Sequence, residues 1–534
     1  MTNIDFRLIN TKHINYDRIT NYTKYINSLT DYLNFIHKEK KSLKYWELIV
    51  GSWLMHFIWL VDYLDQTELK NKQGIEIKDF LIPYDYKSFI SLLNHPTEYS
   101  QLIIEIIRDR KNILSKKKKV LKFRLFKTKY SKKIFYKIFN FFINPFLRYS
   151  ETIMISPGIS FFSQVKIFLM TKFKVSPIFI NVDDERNTFK KLSERKWINK
   201  KNIFDNRLDE ILYEIILLQI PYVYVEGYKE IKIESSVIKN LYRLKSIFST
   251  YGWQENDNFK FMAAEAYEKK ISLVAMQHGG SPHGTGEDPT ILQETELVDY
   301  FITWGWKNRS HHIPLGNINS TNFIKNVNSL RKNQEKESII FISTTGSDYW
   351  PDGIGSPSGE QWSQYYNTQR KFLKKIKDEM FKKIIFRLHP FHYTSSYSQK
   401  KNLESLFPNI NIDKNRSLET TLKNAKYVVL DNIQTVFYQI LTCNIPVVVI
   451  LDMDLWSFNE KFSVIIKQMQ KFSILHTSLE SAVSFLEENH YQINDWWNQL
   501  EIQKLIKDLC NDYCKIVQNP ESEIVNLLIN INKK

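Results

Sequence analysis

Three groups of polar side chains stand directly at the ends of short apolar runs. Gln277 and His278 follow Ile271–Met276, Arg387 and His389 close the run from Lys383, and Asp431, Gln434 and Thr435 follow Tyr427–Leu430. In an open parallel sheet, ligands bind just beyond the carboxyl ends of the strands, so each group stands where chemistry is done. Histidine titrates near neutrality, which makes His278 a candidate general base. It opens a loop rich in glycine, beginning with Gly279 and Gly280, and glycine permits positive φ or close approach of another group. The carboxylates Glu287 and Asp288 lie further along the same loop, and the base stays open between them and His278. A His278 that only organises its loop is the structural alternative. Arg387 and His389 could hold a phosphate, because a rigid cationic fork suits phosphate oxygens. Arg387 could equally pair with a carboxylate such as Asp413 or Asp431. A helix beginning near Thr435 would add its first backbone N–H groups to anion binding. Thr344, Thr345 and Gly346 form one more polar strand-end loop, after Ser338–Ser343.

The elements that position these groups alternate along the chain. Strand candidates at Ile153–Ile155, Val175–Ile180, Tyr222–Val225, Ile271–Met276 and Leu297–Thr303 are interleaved with helices at 203–220 and 263–270. A second series follows, with strands at Ser338–Ser343, Lys383–Leu388, Tyr427–Leu430 and Pro446–Leu451, and helices at 365–380 and from Thr435 to Leu441. Such alternation predicts parallel sheets covered by helices on both faces. Residues 316–337 carry few large apolar side chains and read as a bridge. The expected organisation is a helical region over 1–150, one Rossmann-like domain over 151–315 and another over 338–534. A chain of 534 residues is too long for one core and needs several.

The motifs exclude several chemistries. There is no Walker A loop, no Gly-x-Gly-x-x-Gly fingerprint and no His-Glu-x-x-His pair, which argues against nucleotide kinases, dehydrogenases and zinc hydrolases. Asp348, Asp352, Glu287 and Asp288 could bind a cation, but acidic residues in Gly/Ser-rich loops are common; no metal and no cofactor is expected. Cys443, Cys510 and Cys514 are too few for a disulfide framework, which fits a reducing compartment. Met1–Asp5 lacks the basic and apolar regions of a leader, and a cytoplasmic location is expected.

The N-terminal region holds two contrasting stretches. Tyr45–Tyr63 is apolar nearly all round and reads as a buried helix, with Trp53, His56 and Trp59 on one face and His56 hydrogen-bonded in the core. Residues 116–137 carry eleven Lys and Arg interleaved with Leu, Phe, Tyr and Ile. With a net charge of +16, this stretch suits contact with an anionic membrane surface. A solvated surface, or a grip on a phosphorylated acceptor, are the other readings. No recognised nucleic-acid-binding module accompanies the charge, so no nucleic-acid partner is expected.

Several short motifs carry a resemblance that covers most of the chain: Tyr45-Trp46, Gly51-Ser52-Trp53, Tyr224-Val-Glu-Gly227, Gly252-Trp253 with Phe259-Lys260, Gln277-His278-Gly279-Gly280, Trp304-Gly305-Trp306, Arg387-Leu-His389-Pro390 and Asp431-Asn432. By these the sequence resembles a family of bacterial transferases encoded in surface-polysaccharide loci. Its C-terminal half is more distantly similar to bacterial GT-B sialyltransferases and to CDP-glycerol glycerophosphotransferases. The resemblance implies a GT-B-like α/β fold of two facing Rossmann-like domains with a helical N-terminal addition. It implies a donor site at His389-Pro390 and Thr435, with His278 as base. The expected partners are a nucleotide sugar, with CMP the preferred carrier, and a glycan or glycolipid acceptor. The enzyme would then act at the inner face of the cytoplasmic membrane. Gly286-Glu287-Asp288 reverses the order of the acidic motif of those sialyltransferases. A CDP-alditol phosphotransferase and a non-catalytic glycan-assembly scaffold are the alternatives.

Overall fold

The structure, a computed structural model, describes residues 16–67, 99–100, 103–104, 106–107, 138–180, 195–198, 203–234, 241–280, 294–346, 357, 361–390, 398–456 and 458–533. Two all-parallel six-stranded sheets organise them. The first contains β1 (Thr152–Ile155), β2 (Val175–Ile178), β3 (Ser246–Ser249), β4 (Ser272–Met276), β5 (Tyr300–Ile302) and β6 (His312–Ile313), in the order β2-β1-β3-β4-β5-β6. The second contains β7 (Ser338–Ile342), β8 (Ile384–Arg387), β9 (Asn411–Ile412), β10 (Ala425–Leu430), β11 (Val447–Ile450) and β12 (Leu475–His476), in the order β12-β11-β10-β7-β8-β9. The central strands are β-branched and buried on both faces, as in Val447–Ile450, because helices cover both sides of a parallel sheet. Strand order reverses between β1 and β3 in the first sheet and between β7 and β10 in the second. Those reversals are where an open α/β sheet forms its crevice. This is the α/β build, two Rossmann-like units with a helical N-terminal addition, that the resemblance implies.

The helical addition is built into the first unit. Tyr16–His37 and Leu43–Thr67 share one hydrophobic core with β1, β3, β4 and the helix Asp257–Glu268. Leu43–Gln66 has the length and hydropathy of a membrane span, but 94% of its apolar 18-residue stretch is buried inside the protein, so packing accounts for its composition. Within it His56 Nδ1 meets Ser52 O at 2.8 Å, the core hydrogen bond expected of it.

Three segments differ from their sequence pattern. Tyr222–Tyr224 is a 3₁₀ turn, not a strand: Tyr222 O accepts from both Val225 N and Gly227 N, closing the chain on itself after Pro221. The bridge 316–337 contains a helix, Ser320–Arg331, whose Phe323 and Val327 join the core of the second unit. Its Arg331 Nη1 donates to Leu422 O and Ala425 O at 2.7 and 2.9 Å. The last helix, Pro520–Ile531, leaves the second unit and packs on the first sheet beside Ile167, Phe248 and Val274. Asn532 fixes it there, accepting from Ser246 Oγ at 2.8 Å and donating to Thr152 Oγ1 at 2.9 Å.

Candidate functional site

Gln277 is the bracket that shapes the loop after β4. Its Oε1 accepts from Trp304 N at 2.9 Å and from Trp306 Nε1 at 2.8 Å, and its Nε2 donates to Gly279 O at 2.7 Å. The Trp304-Gly305-Trp306 motif thus holds the start of the His278 loop from the neighbouring strand. His278 follows, one-third exposed, with Nδ1 at 3.3 Å from Oε2 of Glu294, whose side chain is 2% exposed. The ring of Tyr251, just past the end of β3, lies 5.8 Å from the His278 ring. Glu294 is a neighbour of the candidate base that the sequence reading missed.

The same loop reaches the second unit. Gly280 N donates to Thr435 Oγ1 at 3.1 Å. A Cβ on Gly279 would stand 3.1 Å from that oxygen, and a Cβ on Gly280 would meet Tyr438 Cδ2 at 2.2 Å. Neither glycine has positive φ; close approach between the two units is what requires them. His278 of the first unit and Thr435, the first residue of the helix Thr435–Thr442, are therefore brought to one place.

Behind Thr435 lies a hydrogen-bonded floor at the crossover of β7 and β10. Thr344 Oγ1 donates to Gln434 Oε1 at 2.9 Å, and Thr344 N donates to Tyr365 Oη at 2.8 Å. Tyr365 Oη donates to Asp431 Oδ1 at 2.6 Å, and Gln369 Nε2 to Asp431 Oδ2 at 2.7 Å. Thr345 Oγ1 pairs with Tyr366 Oη at 2.9 Å, and Gly346 follows. Because Gln434 Oε1 is taken by Thr344, the Thr435 helix begins without a side-chain cap from Gln434. Its first-turn N–H groups face the crevice end of the sheet, a place suited to an anion.

Asp431 is a buried member of that floor. Burial pushes its carboxyl up to about 6, against the hydrogen bonds from Tyr365, Gln369 and Asn432 that lower it. A folded-state value above the unfolded value of about 3.9 gives stability that is complete below about pH 4 and lost as pH rises through about 6. Asp431→Asn removes this titration. The stability advantage of the wild type over Asp431→Asn is expected to shrink, by roughly 3 kcal/mol at most, between about pH 4 and about pH 8. Urea midpoints of both proteins across that range test it, and a constant difference contradicts it.

Arg387 and His389 are placed differently from each other. Arg387 Nη1 reaches Asp413 Oδ2 at 2.5 Å, Thr421 Oγ1 at 2.7 Å and Asn415 O at 3.1 Å. Asp413 is the carboxylate named as its structural alternative, and the guanidinium ties the end of β8 to the chain beyond β9. His389, with Pro390 after it, stands half-buried past the end of β8. Glu287 and Asp288, with His283, Asp348, Asp352 and the basic stretch 116–137, lie outside the described residues.

Other sequence motifs serve the frame. Glu226 forms a buried ion pair with Arg195 at 2.7 Å. Lys260, 1% exposed, donates to Tyr224 Oη at 2.7 Å and pairs with Asp257 at 2.5 Å. A Cβ on Gly252 would lie 2.6 Å from the Phe259 ring. Among the described residues, Glu296, His311 and His312 bring three possible metal-ligand atoms within 4.8 Å of one another. His312 is packed edge-on against Trp306 at 4.8 Å, and burial holds its imidazole down to about 3.

No curated protein sequence matches the chain. Among solved structures it is similar to the wall teichoic acid polymerase TagF with CDPG, at 11% identity and TM-score 0.37, covering 76% of this chain and 99% of that one. MurG of Acinetobacter baumannii is similar at 9% identity and TM-score 0.34, covering 71% of this chain and 99% of that one. The profile of the LIC12162 family transferases matches residues 10–528, nearly the whole sequence and every element of the site described. The chain belongs to the LIC12162 family of transferases.

Proposed function

We propose that this transferase is a glycosyltransferase that moves a sugar from a nucleotide donor to a surface-polysaccharide or lipid-linked glycan acceptor. The observation that carries the reading is the meeting of the His278 loop with the start of the Thr435 helix, through Gly280 N and Thr435 Oγ1 at 3.1 Å. One unit thereby offers a base and the other an anion-binding helix start at the crossover of its sheet. Glu294 at Nδ1 orients the imidazole so that Nε2 is the atom that takes the acceptor hydroxyl's proton. The first-turn N–H groups of the Thr435 helix, with Thr344 and Gln434 beside them and His389 from past the end of β8, bind the nucleotide phosphate and stabilise the charge that develops on it as the sugar leaves. Asp431 acts from below by holding Tyr365. The donor we favour is a CMP-activated nonulosonic acid, on the sequence resemblance to bacterial sialyltransferases.

A thermal-shift screen over CMP, CDP, UMP, UDP and GDP tests the donor site, since a ligand that binds only the native state raises its stability. CMP is expected to give the largest shift, and His389→Ala to weaken it by about 10-fold or more, as the loss of a charge-assisted bond implies. Arg387→Ala is expected to lower stability and leave CMP affinity near wild type. No shift with any nucleotide sinks the reading. A larger shift with CDP-glycerol than with a CMP-sugar turns it toward alditol phosphate transfer.

A further inference from the structure

We infer that the edge of the first sheet that carries His278 docks on an anionic lipid bilayer through a wedge of exposed phenylalanines. The strands β1 to β4 are parallel, so their carboxyl ends share one edge. Ser160 caps the helix Phe161–Met170 a few residues past the end of β1, and Phe162 there is 83% exposed. Past the end of β2, Asn140 clasps Phe179, donating to its O at 2.6 Å and accepting from its N at 3.1 Å. That clasp seats the helical segment 138–143 on the same edge. Phe139 is the packed side of this segment, 4.8 Å from the Phe161 ring and 5.1 Å from the Phe179 ring. Its other side is bare: Phe141 is 73% exposed and Phe142 64%. Tyr251 and His278 lie past the ends of β3 and β4 on that edge.

Grouped exposed aromatic rings mark an interaction surface, whereas scattered ones need no explanation. The composition of the chain that leads into the wedge selects the partner. Residues 111–150 contain thirteen Lys and Arg and no Asp or Glu. Of these, 111–137 lie outside the described residues and enter only by composition. Apolar rings that insert at the headgroup boundary, with cations beside them, are what binds a protein to an anionic leaflet. A lipid-linked acceptor would then be presented to the His278 edge from the bilayer. This purpose rests on the proposed function; the binding itself does not.

Flotation with vesicles of phosphatidylglycerol and phosphatidylcholine, against vesicles of phosphatidylcholine alone, tests the inference. The wild type is expected to float with the anionic vesicles only. The triple change Phe141→Ser, Phe142→Ser and Phe162→Ser is expected to lower the bound fraction by about tenfold. Leu500→Ser, at a position 84% exposed on the second unit, should float like the wild type. In a second arm, brominated lipid is expected to quench the fluorescence of the Phe141→Trp variant more than that of the wild type. Wild-type flotation of the triple variant, or equal quenching of the Phe141→Trp variant and the wild type, overturns the inference. So does a wild-type dimer that the triple variant converts to a monomer without change in flotation, which would assign the wedge to a second copy. No donor or acceptor is present in these assays, so their failure leaves the transferase reading standing.

Discussion

His278→Gln is expected to lower kcat by about 10² to 10⁴ at saturating donor, the usual contribution of a general base, while CMP affinity stays near wild type. The separation follows from where the side chain stands. His278 belongs to the first unit, where the proposed base acts on the acceptor's proton; the proposed phosphate contacts belong to the second. Glu294 gives the assignment a graded check. Glu294→Gln keeps an acceptor for Nδ1–H and should cost less turnover than Glu294→Ala, if the buried carboxylate acts as proposed by orienting the imidazole. The competing base is one of Glu287 and Asp288. Turnover of Glu287→Gln and Asp288→Asn, measured beside the His278 variant, decides between them. Near-wild-type turnover in His278→Gln ends the assignment of His278.

Gly305→Ala is expected to be the most damaging single methyl group in the frame. Gly305 has φ +143°, and a Cβ there would lie 2.3 Å from Asn511 O and 3.0 Å from Asp512 O. Backbone oxygens on the helix Leu500–Tyr513 cannot rotate away. The strained φ alone costs about 1 to 3 kcal/mol, and the overlap adds to it, so a loss of roughly 3 kcal/mol or more in urea unfolding is expected. The site should feel it too, because Trp304 N and Trp306 Nε1 on either side hold Gln277 Oε1. Gly279→Ala is the contrast: its new Cβ would meet only the Thr435 hydroxyl at 3.1 Å, a side chain that can turn. A Gly305→Ala protein as stable as wild type would show that the Trp-Gly-Trp contact is not what fastens the loop.

Much of this was legible because buried parallel strands leave a plain mark. Runs such as Leu273–Met276 and Val447–Leu451 are apolar throughout, and each became a strand of a parallel sheet with polar residues just past its end. β3 escaped notice for the opposite reason. It is four residues long and begins and ends in serine, and its buried hydroxyls are satisfied by folding: Ser246 by the distant Asn532 and Thr152, Ser249 by Gly252 N in the turn that follows. Glu294 could not be read from spacing, since it lies sixteen residues beyond His278 and only folding brings the carboxylate to the ring. The pairing of Arg387 with Asp413 was visible as an alternative, and the two side chains do meet, at 2.5 Å. The destination of the last helix was hidden for the same reason. An amphipathic segment announces that it needs an apolar surface but not which one, and Pro520–Ile531 took the first sheet.

Release of CMP from a CMP-activated nonulosonic acid without acceptor tests the central claim most directly, because water can replace the acceptor only if donor site and base work together. The wild type is expected to release CMP slowly, and His278→Gln to release it at least about 100-fold more slowly with donor affinity retained. Release at the wild-type rate by His278→Gln, or no nucleotide released by the wild type from any activated sugar, would contradict the account.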